Sequence, residues 1–365
     1  MTRFRIQGPA LKVLMAGGGT GGHVIPALAI AREMRDRYGA EVRFVGTARG
    51  IETRLVPEAG FPLELIKVGQ LANVSLATRL RTYADLPLGL TRCVGLLRSF
   101  RPDVVVGVGG YASGPAMMAA VLLRIPTLAY EANAVPGMVN RVLGKRVSAA
   151  AVAYESTAAY FRNAVVTGVP VREAIFAVTP RPAGVAPRLL VTAGSNGARV
   201  FNEWMPSILV RLLDGVPGLT VVHQSGAASL EKTLAAYEAS GADPARWRVA
   251  AFLEDMPGEY QAADLVLARS GSTVAELAAA GRPAVLVPFP QAADDHQRKN
   301  AEVLAGAGAA VMLVQVGLTA DRLLGELVGL LGDTGRLREM GERARALAKP
   351  GALIKIGEMV KELAQ

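Results

Sequence analysis

Short runs of β-branched and other apolar residues alternate along this chain with longer stretches in which apolar residues recur at helical spacing. The first run, Leu11–Ala16, precedes a glycine-rich loop, and a helical pattern then covers Pro26–Tyr38. This order predicts a strand, a loop and a helix, the unit of parallel α/β sheets. Further strands are predicted at Glu41–Thr47, Asp103–Val108, Ile125–Tyr130, Ala164–Thr167, Leu219–His223, Trp247–Phe252, Asp264–Ala268 and Pro283–Val287. Further helices are predicted at Ile51–Ala59, Val274–Ala280 and Leu353–Leu363.

The pattern is interrupted once and then restarts at RLLVTAGSNGAR, which begins at Arg188. The interruption, residues 177–188, is rich in proline and small residues, a composition typical of linkers. We therefore predict two Rossmann-like, doubly wound domains that face each other across a cleft, residues 1–168 and 169–349. Residues 350–365 are predicted to form a helix that crosses back to the first domain. Ligands of such sheets bind at the carboxyl ends of the strands.

The composition limits the class of protein. The single cysteine, Cys93, excludes an internal disulfide and fits a reducing compartment. With three histidines and one cysteine, a structural zinc site is poorly supplied. No apolar run approaches the roughly 20 residues that span a bilayer, and the N-terminal residues lack the apolar core of a signal peptide. We expect a soluble protein of the cytoplasm.

The positive charge lies in the first half of the chain. Residues 1–168 carry 20 lysines and arginines against 10 acidic residues, which accounts for the whole net charge of +9. Nucleic acid is not expected as a partner, because aromatic residues are only 5% and no nucleic-acid-binding motif is present. An anionic membrane surface attracts each nearby cation by about 1 kcal/mol, and a solubility role is the alternative.

One segment favours the membrane. Residues 75–101 interleave leucines, among them Leu86, Leu88, Leu90, Leu96 and Leu97, with arginines that include Arg79, Arg81, Arg92, Arg98 and Arg101. Leucines dipping among headgroups and arginines on lipid phosphates would give peripheral association. An ordinary amphipathic helix packed on the sheet is the other interpretation.

Three glycine-rich loops between a strand and a helix are candidate anion sites. The first, Gly17–Gly22, also matches the GxGxxG pattern of dinucleotide-binding folds. That fold needs an acidic residue at the end of its second strand, yet this strand closes on Gly46 and Thr47. The others are Gly194–Gly197 and Arg269–Thr273. Because helix N-termini favour phosphates, three such loops indicate a diphosphate ligand, although each alone could be a plain turn or helix cap.

Several segments in order resemble the MurG N-acetylglucosaminyltransferases: GGGTGGHVIPALAIA, PDVVVGVGGYASGPAMMAA, YEANAVPGMVNRVL, GVPVR, AGSNGAR, HQSG, FLEDM, RSGSTVAELAAAG and PFPQAADDHQRKNA. The resemblance covers Lys12 to about Ala310 and implies the two-domain GT-B fold, with the nucleotide sugar in the C-terminal domain. It implies inverting transfer of GlcNAc from UDP-GlcNAc to the 4-hydroxyl of MurNAc in undecaprenyl-pyrophosphoryl-MurNAc-pentapeptide, at the cytoplasmic face of the plasma membrane. No metal or cofactor is expected, since the chain has no DxD triplet.

The resemblance also implies residue roles on the donor side. Thr20, Gly21 and Gly22 would lie beside the sugar and phosphates, and Arg172, Ser195, Ser272 and Thr273 along the nucleotide diphosphate. Leu253 would meet the uracil through its backbone, Glu276 would accept bonds from the ribose hydroxyls, and Asn133, His296 and Gln297 would contact GlcNAc. The chain departs from the family's His-Glu-Gln-Asn at Tyr130 and Ala132, and its RSGSTVAE loop is one residue shorter.

On the acceptor side, the resemblance places His23, Tyr111 and Glu131 in the pocket. The attacking hydroxyl must lose its proton, and both His23 and Glu131 are candidate bases. His223, inside a predicted strand, is expected to be structural, and Asp294–His296 is expected to be a surface loop or sugar contact rather than a metal site. The competing functions are a nicotinamide oxidoreductase, a non-catalytic sugar-nucleotide-binding protein and a UDP-GlcNAc epimerase.

Overall fold

The computed structural model describes residues 10–68, 76–182 and 184–365. It divides into two compact units. The first unit ends at Pro170 and takes up the chain again from Gly351 to Gln365, and the second is Val171–Pro350. Each unit contains one parallel sheet covered by helices on both faces.

Thirteen strands lie in the described ranges: β1 (Lys12–Ala16), β2 (Glu41–Thr47), β3 (Leu63–Ile66), β4 (Val104–Gly107), β5 (Thr127–Glu131), β6 (Ala149–Val152), β7 (Ala164–Val166), β8 (Arg188–Thr192), β9 (Thr220–Gln224), β10 (Trp247–Ala250), β11 (Leu265–Ala268), β12 (Ala284–Leu286) and β13 (Ala310–Met312). The sheet of the first unit has the order β3-β2-β1-β4-β5-β6-β7, and that of the second unit has β10-β9-β8-β11-β12-β13. Val13 pairs with Val42 on one side and Val104 on the other, which fixes the register at the centre of the first sheet.

The helices that cover these sheets are α1 (Gly21–Tyr38), α2 (Glu52–Glu58), α3 (Leu76–Phe100), α4 (Ser113–Leu122), α5 (Met138–Leu143), α6 (Glu155–Ala158), α7 (Glu173–Phe176), α8 (Arg199–Gly215), α9 (Leu230–Ala239), α10 (Met256–Ala262), α11 (Thr273–Ala280), α12 (His296–Gly306), α13 (Ala320–Leu331), α14 (Thr334–Ala346) and α15 (Ala352–Leu363). Within the described ranges, no helix is both long enough and apolar enough to cross a membrane.

The central strands are almost continuously apolar because helices bury them on both faces. The β4 sequence VVVG and the β11 sequence LVLA are fully buried. In the first unit, α15 belongs to the core, since Ile356, Met359 and Val360 pack in the same cluster as Val13 and α1. The opposite face of that sheet packs against α3, α4 and α5.

The structure differs from the sequence prediction at several elements. It contains β3, β6 and β13, which the apolar pattern did not single out. The α1 helix begins at Gly21 rather than at Pro26, which lies inside it. Proline there removes one helical bond, to the carbonyl of Gly22, and the rest of the first turn remains intact.

Candidate active site

The loops of the second unit that carry predicted donor residues meet at the carboxyl edge of its sheet. Strand order reverses between β8 and β11, and such a switch point is where ligands of this fold bind. Ser195 is exposed on the loop after β8, and Ser272 is exposed directly before α11, after β11. Thr273 is the first residue of α11. The structure therefore brings these three residues to one crevice edge.

The Ser195 loop lies directly against the loop that follows β9. Gly197 has φ +67° and Gly226 has φ +83°, which L side chains rarely adopt. A Cβ on Gly197 would overlap the Ser225 carbonyl, and one on Gly226 would overlap the Asn196 carbonyl. Both positions therefore need glycine, and the two loops hold each other through their backbones.

Gln224 links these loops to the predicted uracil contact. It is buried, its Nε2 donates to the Gly194 carbonyl at 2.6 Å, and its Oε1 accepts the Leu253 N–H at 3.1 Å. Gln224 belongs to the HQSG segment, whose resemblance to the family implies no role for this residue. The side chain spans the gap between the Ser195 loop and Leu253, which is itself buried, so it fixes their separation.

Glu276 lies in the first turn of α11. Tyr260 donates its hydroxyl to Glu276 Oε2 at 2.9 Å. Burial raises the pKa of Glu276, whereas the Tyr260 hydrogen bond and the charge of Arg172 lower it. Arg172 is exposed at the start of α7. Because its charge acts on Glu276, these two predicted donor residues lie close enough to interact electrostatically.

Gln297 and His296 begin α12 beside the same loops. Ser270 donates to the Gln297 carbonyl at 2.7 Å, and Phe289 N–H donates to Gln297 Oε1 at 3.0 Å. The side-chain amide is therefore oriented with its oxygen occupied. His296 Nδ1 is 2.7 Å from the carbonyl of Ala293, and because a carbonyl only accepts, Nδ1 carries the proton.

The loop before α12 places two consecutive acidic residues in a left-handed backbone conformation. Asp294 and Asp295 have φ of +52° and +54°, a left-handed backbone that is strained for residues other than glycine. Asp295 accepts a bond from Arg298. Over the part of the chain that the structure describes, no three His, Cys, Asp or Glu side chains are grouped so that they could hold a metal ion.

In the first unit, two glycine turns meet at the switch point between β1 and β4. Gly109 has φ +89° and Gly110 has φ +80°. A Cβ on Gly110 would overlap the carbonyl of Gly18, and a Cβ on Gly109 would lie 2.9 Å from the ring of His23. The His23 imidazole thus packs on a turn that has no side chain, and the partly buried Tyr111 follows that turn directly.

Thr20, Gly21 and Gly22 form the entry to α1. The Thr20 carbonyl accepts the N–H groups of His23 and Val24, each at 3.1 Å. Thr20 Oγ1 lies 3.5 Å from His23 Nδ1. The N–H groups of Gly21 and Gly22 precede these bonds, at the positive end of the helix dipole.

Glu131 is the centre of a turn rather than an open acid. It is 5% exposed at the end of β5. Its Oε1 accepts the N–H and side-chain amide of Asn133 at 3.1 and 3.0 Å. Its Oε2 accepts the N–H of Gly137 at 2.9 Å and the Asn140 amide at 3.0 Å. The carboxylate thereby holds Asn133 in place, and it would have to give up at least one of these four hydrogen bonds to accept a proton.

Comparisons with known proteins show the family to which the two units belong. The glycosyltransferase family 28 N-terminal domain matches residues 13–152, and the C-terminal domain of that family matches residues 188–353. The UDP-N-acetylglucosamine–N-acetylmuramyl-(pentapeptide) pyrophosphoryl-undecaprenol N-acetylglucosamine transferase of Solibacter usitatus is 42% identical over 359 residues, 98% of this chain and 97% of that protein. The transferase of the same name from Anaeromyxobacter sp. strain Fw109-5 is 44% identical, over 97% and 93%.

Among solved structures, Acinetobacter baumannii MurG superposes with a TM-score of 0.82 at 33% identity, over 96% of this chain and 99% of that one. The chain belongs to the MurG family of glycosyltransferases. The family resemblance and the α/β, GT-B class predicted from the sequence are therefore confirmed. UDP-GlcNAc 2-epimerase from Neisseria meningitidis has a TM-score of 0.66 at 14% identity, a likeness that shows the fold alone.

The two departures from the MurG pattern have clear places in the structure. Tyr130 is buried in the core of the first unit, and Ala132 packs against the same cluster. Asn140 donates to the carbonyl of Tyr130 as well as to Glu131, so the backbone of the turn remains anchored. The shortened loop puts Ser272 directly before α11, where its side chain does not cap the helix.

Glu52 is a site residue that the MurG motifs did not reveal. It is fully buried, and its carboxylate accepts the N–H of Gly19 at 2.7 Å and both the N–H and hydroxyl of Thr47 at 3.0 Å. A Cβ on Gly18 or Gly50 would overlap this carboxylate. The β2 strand ends without an acidic residue, and α2 supplies one, Glu52, at that position. Because its oxygens are bonded to the protein, it shapes the glycine loop instead of facing a ribose.

Glu52→Ala is expected to destabilise the first unit. The change leaves the half-buried donors of Gly19 and Thr47 without their acceptor, and an unpaired buried donor costs about 1–3 kcal/mol. The melting temperature should fall by roughly 5–10 °C in thermal unfolding. Glu58→Ala is the matched control, because Glu58 lies on the same helix in an exposed pair with Arg54 at 3.3 Å. Equal melting temperatures for the two variants would show that Glu52 does not support the loop.

Proposed function

We propose that this protein transfers GlcNAc from UDP-GlcNAc to the 4-hydroxyl of MurNAc in undecaprenyl-pyrophosphoryl-MurNAc-pentapeptide, with inversion at the anomeric carbon. The observation that carries the proposal is the likeness to transferases of this name at 42–44% identity over nearly the whole chain. The convergence of Ser195, Ser272, Thr273 and Glu276 on one edge of the second sheet supports it, because a nucleotide diphosphate needs such donors and acceptors together.

Each predicted donor residue then has a role that its position allows. Ser195, Ser272 and Thr273 lie along the diphosphate, where loop N–H groups stabilise the charge that develops on the leaving UDP. Leu253 meets the uracil and Glu276 the ribose hydroxyls. Arg172 adds a positive charge near the nucleotide. The residues that contact the sugar and its phosphates are Thr20, Gly21, Gly22, Asn133, His296 and Gln297.

For the chemical step we assign the base to His23. The acceptor hydroxyl attacks the anomeric carbon, its proton passes to the imidazole, and the bond from that carbon to the diphosphate oxygen breaks with its electron pair leaving on UDP. We prefer His23 to Glu131 as the base because the carboxylate of Glu131 already accepts four hydrogen bonds. Glu131 instead positions Asn133. Tyr111, next to the glycine turn that supports His23, lines the acceptor pocket.

The reaction is tested by following UDP release with and without a short-chain analogue of the lipid-linked acceptor. The proposal predicts release only when both UDP-GlcNAc and the acceptor are present. It also predicts that the rate persists in excess chelator, because the chain has no DxD triplet. Conversion of UDP-GlcNAc without acceptor would indicate an epimerase, and binding without turnover would indicate a sugar-nucleotide-binding protein.

The place of action we propose is the cytoplasmic face of the plasma membrane, through the helical layer α3, α4 and α5 of the first unit. Leu88 is 60% exposed and Leu122 is 65% exposed, and Val142 is also exposed. Basic residues of this layer and of its connections whose side chains are described include Arg92, Arg98, Arg101, Arg124, Arg141, Lys145 and Arg146. Exposed apolar side chains among cations suit an anionic lipid surface.

The structure corrects one part of the predicted membrane segment. Leu97 is 1% exposed and packs in the core with Cys93, and Leu90 and Leu96 are partly buried against the same cluster. These three leucines therefore hold α3 on the sheet. The side chains of Arg79, Arg81 and Leu86 lie outside the described residues.

The double variant Leu88→Ser, Leu122→Ser is expected to bind anionic vesicles about 10-fold or more weakly than the unaltered protein. Full burial of a leucine side chain contributes about 1.5–3 kcal/mol of free energy. A side chain among lipid headgroups is only partly buried and contributes part of that amount, and 1.4 kcal/mol corresponds to a tenfold change in affinity. Vesicle sedimentation measures the change. Val316→Ser in the second unit, 77% exposed, is the control and should bind normally. Equal binding of the unaltered protein to anionic and neutral vesicles would contradict the electrostatic part.

A further inference from the structure

A buried phenol lies directly on the carboxylate of Glu276. Tyr260 is completely buried near the end of α10, within the apolar core that also contains Val274 and Leu277 of α11. Its hydroxyl donates to Glu276 Oε2 at 2.9 Å. The Tyr260 ring packs in the core of the second unit, and its hydroxyl contacts the half-buried Glu276. A single side chain therefore connects that core to Glu276.

The direction of this hydrogen bond is fixed by the surroundings. Burial and the neighbouring Glu276 raise the pKa of Tyr260 well above its ordinary value, so the phenol keeps its proton and donates. Glu276 can only accept while it is ionised. One oxygen is therefore held by Tyr260, and the carboxylate keeps further lone pairs with which it can accept hydrogen bonds from a ligand.

Two arginines anchor the backbone of the elements that carry Tyr260 and Glu276: the buried Arg282 on the side of Tyr260 and the half-buried Arg345 on the side of α11. Arg282 donates from Nε to the Tyr260 carbonyl at 2.7 Å and from Nη2 to the Thr179 carbonyl at 2.6 Å. Arg345 donates to carbonyls at the end of α11, among them Ala280 at 3.0 Å. The backbone is thus anchored both at Tyr260 and at the end of α11, the helix that carries Glu276. These anchors favour a fixed position of the Tyr260 hydroxyl relative to the Glu276 carboxylate.

We propose that Tyr260 is a positioning residue of the donor site: its hydroxyl anchors the Glu276 carboxylate in the orientation from which it binds the ribose of the nucleotide. The inference rests on the proposed function, of which it specifies the nucleotide subsite. This role is not visible in the sequence, because Tyr260 lies in no loop motif and its spacing along the chain from Glu276 predicts no contact.

The charged groups around Glu276 determine how its pKa changes when the Tyr260 hydroxyl is removed. Arg172, before α7, lowers the pKa of Glu276, as the Tyr260 hydroxyl does. On α14, Arg345 is bound to carbonyls at the far end of α11, and on α7, Glu173 is exposed. On α12, Arg298 pairs with Asp295 and Glu302. Removing the phenol hydroxyl therefore leaves burial opposed by Arg172 alone, and the pKa of Glu276 rises.

Tyr260→Phe tests the proposal while keeping the ring in the core. KM for UDP-GlcNAc should rise about 10-fold, the size expected for losing a hydrogen bond to a charged group, while kcat at saturation changes less than about 3-fold. The acid limb of 1/KM should move to higher pH, because a carboxylate with a raised pKa loses its charge earlier as the pH falls. A 2′,3′-dideoxyribose donor should show no such penalty, since it makes no bond to Glu276.

Tyr237→Phe is the matched control. Tyr237 is fully buried in the same unit, and its hydroxyl lies 2.9 Å from His223 Nδ1 rather than near Glu276. This variant should lose some stability but keep the KM and the pH limb of the unaltered protein. If it changes KM as much as Tyr260→Phe does, the effect is general loosening of the unit and the proposal is overturned.

Calorimetric binding of UDP separates this inference from the proposed reaction. If the unaltered protein binds UDP without transferring GlcNAc, the reaction proposal fails, and Tyr260 is then judged by the UDP dissociation constant and its pH dependence. If Tyr260→Phe does not fold, 3-fluorotyrosine at position 260 replaces it, and its more acidic hydroxyl should move the acid limb to lower pH. Unchanged KM and pH limb, or an equal penalty with the dideoxyribose donor, would overturn the proposal.

Discussion

His23→Gln is expected to lower kcat for GlcNAc transfer by about 100- to 10,000-fold, the contribution typical of a positioned general base. Glutamine fills similar space beside the glycine turn at Gly109 but cannot take up a proton. KM for UDP-GlcNAc should change little, because the nucleotide contacts lie on other residues. Steady-state kinetics with the short-chain acceptor, measured over pH, gives both quantities, and the acid limb of kcat should disappear.

Glu131→Gln is the comparison variant, since Glu131 is the other candidate base. In this variant an NH2 group replaces one carboxylate oxygen, so two of the four donors that contact Glu131 would face another donor. The turn that holds Asn133 is therefore disturbed, and activity falls. The acid limb of kcat should nevertheless persist. A retained limb in His23→Gln together with a lost limb in Glu131→Gln would reverse the assignment.

Glu276→Ala is expected to reduce kcat/KM for UDP-GlcNAc by roughly 10- to 100-fold. A carboxylate that accepts bonds from ribose hydroxyls contributes about 1.5–3 kcal/mol, and 1.4 kcal/mol corresponds to tenfold. With a 2′,3′-dideoxyribose donor the loss should shrink sharply, because that donor has no such bonds to lose. Initial rates with both donors measure the difference.

The exposed Glu238 of α9 supplies a control for removing one acidic charge from the second unit. Glu238→Ala should leave both donors unaffected. Equal impairment of Glu276→Ala with both donors would mean that Glu276 does not bind the ribose. Burial raises the pKa of Glu276, so this carboxylate is protonated at a higher pH than an exposed glutamate. Donor binding should therefore weaken at that higher pH as the solution is acidified.

The buried strands were readable from the sequence because parallel strands covered on both faces are nearly continuous apolar runs. The β2 strand was predicted at its exact bounds, and β4, β5, β9, β10, β11 and β12 to within two residues at each end. The β6 sequence AAAV is alanine-rich and carries no strand signal. The start of α1 was misplaced because glycines Gly21 and Gly22 are typical of loops and Pro26 of a helix start.

The glycine loops of the site were equally readable, since GGGTGG, GSNG and RSGST each stand between a strand and a helix. What the sequence did not reveal are the side chains that brace those loops. Glu52, Gln224 and Tyr260 act through contacts between elements that are brought together only by the fold. No local periodicity encodes such contacts, and each of the three residues looks ordinary in its own segment.

The central claim is that GlcNAc is joined to the MurNAc of a lipid-linked acceptor with inversion. The most direct measurement is incubation with UDP-GlcNAc, labelled with carbon-13 in the sugar, and the short-chain acceptor analogue, followed by mass spectrometry and NMR of the product. The account predicts an acceptor heavier by one labelled N-acetylhexosamine, β-linked to the 4-hydroxyl of MurNAc. An unmodified acceptor, or an α-linked product, would contradict it.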